Sequence, residues 1–168
     1  MSNIPNPRPA NESDPHRRNF GLRNQWFRLK RRLAYLGSLA LLKIIDWMLR
    51  TWGYRRTSRW LVRFSPTPDA ARSDSKRARI LALAVDSAAT QRLVDVTCLR
   101  RSLALWWLLR WLRIPSEVRL AFRLANGKAD GHAWVEHHAQ VINDLPDIAA
   151  HYPILYGDQL SPEMAAKI

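Results

Sequence analysis

The chain has 168 residues, 47% of them hydrophobic, with eight tryptophans. That is enough apolar mass for one folded core and short of two, and it excludes a disordered chain. The net charge of +13 belongs to one end: residues 1–80 carry 18 Lys+Arg against 5 Asp+Glu, whereas residues 81–168 carry 9 of each. The single cysteine excludes an internal disulfide, so nothing requires an oxidising compartment.

Residues 1–20 hold four of the ten prolines and read as a disordered basic tail without an apolar signal-peptide core. The longest early uncharged run, Leu33–Leu42, is too short to cross a bilayer. The chain therefore reads as cytoplasmic, with membrane-surface contact left open. Residues 21–64 read as a basic helical segment. Between Gln25 and Thr51 the polar residues Lys43, Asp46 and Arg50 share one face and most other positions from Leu33 to Leu49 are apolar, so the helix must bury a wide surface. Gly53 should break it, with a second helix over Arg55–Phe64. Trp26, Trp47, Trp52 and Trp60 are interleaved with arginine, a mixture that could stack on bases. Core rings flanked by snorkelling arginines explain it better, and with no nucleic-acid motif present, nucleic acid is not expected as a partner.

Ser65–Lys76 has loop composition, and Asp74 or Ser75 can cap a helix over Arg77–Ala89. Thr97 opens a central helix, with Thr97 or Asp95 as its N-cap, which sets Cys98 at the helix start. Its run Leu103–Leu109 is unbroken apolar, and Pro115 is expected to end it. In Glu117–Ala125, Val118, Leu120, Phe122 and Leu124 alternate with charged or small residues, which predicts a strand with one buried face. Asn126-Gly127 signals a hairpin, with a loop that could extend towards His132. His132–His137 and Gln140–Asn143 read as two further antiparallel strands joined near His138-Ala139, and Pro146–Ile168 as a loosely packed tail. The expected architecture is α+β: a helical N-terminal half, then a core in which a Cys-bearing helix packs on a small antiparallel sheet. The expected domain is single, over 21–168, with its core at 77–158.

The chemistry concentrates between Cys98 and Asp144. A thiol attacks as thiolate, and a helix N-terminus supplies partial positive charge that favours one. An imidazole can take the thiol proton and return it to a leaving amine, and an acid on its other nitrogen fixes tautomer and orientation. Cys98, His132 and Asp144 are the candidates for these roles, with the Cys98 amide as one oxyanion donor and Gln91 as a second. Asp147 is a rival acid; His137, His138 and His151 are rival bases.

The strings C-L-R-R-S-L-A-L-W-W-L-L-R-W-L-R-I-P at 98–115, G-H-A-W-V-E at 131–136 and V-I-N-D at 141–144 resemble the leader peptidases of lasso-peptide biosynthesis, a transglutaminase-like branch of the papain-type cysteine proteases. The resemblance extends back through W-G-Y-R-R-T-S-R-W-L at 52–61 and covers roughly residues 30–158. It implies a papain/transglutaminase-like core with Cys98 as nucleophile, His132 as base and Asp144 as orienting acid. It further implies removal of the leader from a ribosomally made precursor peptide. The partners would be that precursor, a separate leader-recognition protein and a macrolactam-forming cyclase. ATP is then a requirement of the cyclase; no cofactor and no metal is assigned to this chain. Two departures bear on substrate preference: His137-His138 stands where a glycine turn is commoner, and Arg119 and Arg123 make the strand more basic. Two other readings share the residues. One is a transglutaminase-like acyl transferase that hands the acyl group to an amine. The other is a non-enzymatic adaptor that binds a membrane or partner through basic residues 17–63.

Overall fold

The computed structural model describes residues 15–90 and 97–155, with side chains from residue 36 onward. Within these, the order is helix α1 (Pro15–Arg63), α2 (Ser75–Ala89), α3 (Cys98–Trp111), strands β1 (Glu117–Ala125), β2 (Lys128–His137) and β3 (Gln140–Val141), a short α4 (Ile148–His151) and β4 (Ile154–Leu155). The chain divides into two compact units, Met1–Leu33 and Ala34–Ile168. The described part of the first, residues 15–33, is helical. Residues 15–20 belong to helix α1. Among the described side chains of α1, Ser38 is the first that is buried.

Helix α1 is broken at Gly53, whose φ of 73° lies in the left-handed region that glycine tolerates without a Cβ penalty. Before the break Leu41, Leu42, Ile45 and Met48 point into the core; after it Leu61 and Val62 do. The spacing is the 3.6-residue period of an amphipathic helix. Leu36, Ile44 and Trp47 stay exposed, so the wide apolar face is only partly covered. Helix α2 is capped by Asp74, whose carboxylate accepts the Arg77 amide. It packs on α3 through Ala82 and Val85.

Helix α3 is the centre of the core: Leu103, Leu105, Trp106 and Leu109 are all at most 1% exposed. It stops at Trp111, earlier than Pro115. Arg113 adopts φ 57°, and the Ile114 amide reaches back to the Leu109 carbonyl at 2.9 Å. The helix thus ends in a left-handed turn that satisfies its last carbonyls, with arginine where glycine is usual. Thr97 is the N-cap but offers no side-chain hydrogen bond; the alternative cap, Asp95, lies outside the described residues.

The four-stranded antiparallel sheet has the order β3-β2-β1-β4. Strand β2 begins four residues earlier than expected, because Asn126 and Gly127, with φ 51° and 74°, close a two-residue turn whose twist suits a hairpin. His138 and Ala139 repeat that conformation at the next turn, with φ 48° and 59°. Val118, Ala133 and Val135 are buried on the α3 side. The expected alternation fails at Leu124, which sits at the hairpin tip and is 72% exposed. The opposite face is also covered: Ala121 and Trp134 form a second cluster with Ile148 and Tyr152. The segment expected to pack loosely therefore closes one side of the sheet, and β4 pairs with β1 at Ala121–Phe122.

One buried hydroxyl ties helix to sheet. Ser102 Oγ donates to the Ala133 carbonyl at 2.9 Å and accepts from Asn143 Nδ2 at 3.1 Å, while Asn143 Oδ1 accepts the Val135 amide at 2.7 Å. Ser102→Ala takes the hydroxyl from the Ala133 carbonyl and from Asn143 Nδ2, and should cost about 1–3 kcal/mol. The denaturant midpoint measures it; a variant as stable as the parent would show that the hydroxyl contributes nothing.

Candidate active site

Cys98 is the first residue of α3 and half-buried. His132 lies on β2 opposite Ala121 of β1. Both line one open cleft of about 470 Å³. Among the described residues no hydrogen bond joins the sulfur to the ring. His132 Nε2 lies 2.9 Å from Asp144 Oδ2. An ionised carboxylate can only accept, so Nε2 carries the proton and the Nδ1 lone pair is left for other work. Asp144 sits in the bend after β3, because that strand ends at Val141 rather than Asn143. Its Oδ1 accepts the Leu145 amide at 2.9 Å, which fixes the carboxylate plane.

Reasoning from the sequence missed two neighbours. Arg101, three residues after Cys98 on α3, donates from Nη2 to Asp144 Oδ2 at 3.0 Å and from Nη1 to Asp86 Oδ1 at 2.9 Å. It connects α2, the helix that begins at Cys98 and the candidate acid. The C-L-R-R-S-L string contained the signal, but two adjacent arginines give no hint of which turns inward. Arg100 pairs instead with Asp46 of α1 at 2.8 Å. The second neighbour is Tyr152. Its ring stacks on His132 at 4.8 Å and 20°, and the Trp134 ring lies 6.3 Å from His132 at 27°. Tyr152 is anchored by its hydroxyl, which donates to Asp130 Oδ2 at 3.1 Å, and by the Arg123 guanidinium 4.7 Å from its ring centre.

The other candidates fall away. Asp147 contacts His151, at 3.4 Å, rather than His132. His137 is buried at the far end of β2 with Nδ1 on the Pro115 carbonyl at 2.6 Å, and His138 is exposed in its turn. Gln91 lies outside the described residues. The extra basicity of β1 is neutralised on the spot, Arg119 by Glu136 and Glu117 and Arg123 by Asp130. Among the described residues no cluster of His, Cys, Asp or Glu could hold a metal, and no helix is long and apolar enough to cross a membrane.

Two predictions test these supports. Arg101→Met should lower stability by about 1–3 kcal/mol, since Asp144 is the less exposed partner, whereas Asp86→Asn should cost under about 1 kcal/mol because that carboxylate faces water. Denaturation midpoints in the reverse order would contradict the arrangement. The second concerns pH. Hydrogen bonding from Arg123, then from Tyr152, holds the Asp130 carboxyl below its ordinary value, and burial pushes the Tyr152 phenol up. A lowered acid contributes fully above its unfolded value and is lost as pH falls through the folded one. The Tyr152 environment, read by near-ultraviolet dichroism, should stay constant across neutral pH and change only below about pH 4; in Asp130→Asn that acid step should vanish.

A profile described as the transglutaminase-like superfamily matches residues 41–156. No curated protein matches the chain, and no solved structure does. The matched span runs from the buried part of α1 to β4 and takes in the whole cleft, the α3 hydroxyl lock and the His132–Asp144 pair. The chain belongs to the transglutaminase-like superfamily.

Proposed function

We propose that the protein is a cysteine peptidase that removes the leader from a ribosomally synthesised precursor peptide during lasso-peptide maturation. The observation that carries the reading is the hydrogen bond from His132 Nε2 to Asp144, beside a cysteine at a helix N-terminus in the same cleft. The superfamily fits both cysteine peptidases and acyl transferases, and the strings at 98–115, 131–136 and 141–144 supply the finer resemblance.

On this reading His132 Nδ1 takes the Cys98 proton, and the thiolate attacks the carbonyl of the last leader residue. Asp144, itself held by Arg101, keeps the ring oriented and stabilises the imidazolium. The Cys98 amide, in the first turn of α3 where N–H groups lack intrahelical partners, donates to the oxyanion. Collapse breaks the C–N bond as the imidazolium protonates the leaving amine, the new N-terminus of the core peptide. Water, deprotonated by Nδ1, then hydrolyses the thioester and frees the leader. A separate leader-recognition protein would deliver the precursor, and an ATP-consuming cyclase would close the macrolactam on the freed core. The reaction belongs in the cytoplasm, where precursor is made.

Cys98→Ala and His132→Ala should each reduce cleavage by roughly a thousandfold or more, with unchanged far-ultraviolet dichroism. Mass analysis of the precursor after incubation with its recognition partner gives the readout. Cleavage undiminished by Cys98→Ala contradicts the peptidase. A product that has gained an amine in place of water assigns acyl transfer. Salt-sensitive binding without turnover, retained by Cys98→Ala, assigns the basic adaptor.

A further inference from the structure

The cleft at Cys98 differs in chemistry from the rest of the molecule. The chain carries 27 Lys+Arg and 14 Asp+Glu, yet among the described residues no Lys, Arg, Asp or Glu lines this cleft. Its walls are Tyr54 of α1, Leu99 of α3, and Leu120 and Phe122 of β1. All four are only partly buried; Tyr54, Leu99 and Leu120 pack against the core on one side and leave apolar surface to the cleft. Among the described residues, charged neighbours on α3 and β1 are paired elsewhere: Arg100 with Asp46, Arg101 with Asp86 and Asp144, Arg123 with Asp130.

Gly131 explains how the cleft stays open. It precedes His132 on β2 and pairs with Phe122. Its φ is not positive, so its conformation does not demand glycine. A Cβ built there meets no atom within 4 Å, and neither does packing demand it. What the missing side chain leaves is space, and Gly131 itself lines the cleft.

We propose that this cleft is a specificity pocket for a large uncharged apolar side chain adjoining the carbonyl that Cys98 attacks, and that Gly131 determines its size. The proposal deepens the peptidase reading and rests on Cys98 being the reactive group. An apolar chain of matching length exchanges water for the surfaces of Leu99, Leu120 and Phe122, whereas a charged one would be desolvated against these side chains with no described Lys, Arg, Asp or Glu in the walls to pair with. Substitution at Gly131 fills the volume without disturbing the hairpin.

The test uses Cys98 as reporter and needs no natural substrate. Alkylation rates of the full chain by N-methylmaleimide and N-benzylmaleimide are each normalised to the rate with glutathione. The expected benzyl-to-methyl ratio is about tenfold or more in the parent protein, falling towards one in Gly131→Leu. Phe122→Ser serves as a second variant that removes a wall instead of filling the space, and the ratio should fall there too. A parent ratio near one, or an unchanged ratio in both variants, overturns the pocket. A Cys98 no faster than glutathione with N-methylmaleimide, but with the benzyl preference intact, overturns thiolate catalysis and leaves the pocket standing.

Discussion

A single buried oxygen organises the candidate site. Ser102 stands four residues after Cys98, one helical turn along the same face of α3. Its hydroxyl donates to the carbonyl of Ala133, the residue after His132, and accepts from Asn143, the residue before Asp144. Three chain segments distant in sequence are thus fixed to one atom, each one step or one turn from a proposed catalytic residue. The surrounding apolar packing of Leu103, Leu105 and Trp106 presses α3 onto the sheet but does not specify register. The directional bonds of Ser102 and Asn143 do, because a one-residue slip of β2 would turn His132 to the other face and leave three buried polar groups unpaired.

Around that lock the electrostatics form a chain in place of an isolated pair. Asp86 of α2 holds Arg101 of α3, Arg101 holds Asp144, and Asp144 holds His132. Each link is a charge-assisted bond of 2.9–3.0 Å, stronger than its neutral counterpart. Tyr152 stacks on the imidazole at 4.8 Å, and Trp134 lies 6.3 Å from it. Together with the Asp144 bond they hold the ring before any peptide arrives, which is the preorganisation that acid–base chemistry requires.

The sequence disclosed elements whose signals are local. The hydrophobic period of α1 and its stop at Gly53, the Asp74 cap, the start of α3 at Cys98 and the β1 alternation through Val118 and Leu120 all depend on residues a few positions apart. The His132–Asp144 pairing followed from the order of three residues and a family resemblance. What stayed hidden depends on long-range packing. Nothing near Arg113 announces that an arginine will take a left-handed conformation and end α3 before Pro115. Ile148 and Tyr152 look like tail residues until the exposed face of the hairpin is seen to need a cover. The choice of Arg101 over Arg100 as the partner of Asp144 depends on a carboxylate 43 residues away.

The most direct test of the proposed peptidase is intact-protein mass spectrometry of the chain quenched in acid during incubation with a precursor peptide. The expected adduct on Cys98 equals the leader peptide less one water, is discharged by hydroxylamine and is absent from Cys98→Ala. Turnover of the precursor with no covalent species on Cys98, at a rate the Cys98→Ala chain matches, would contradict it.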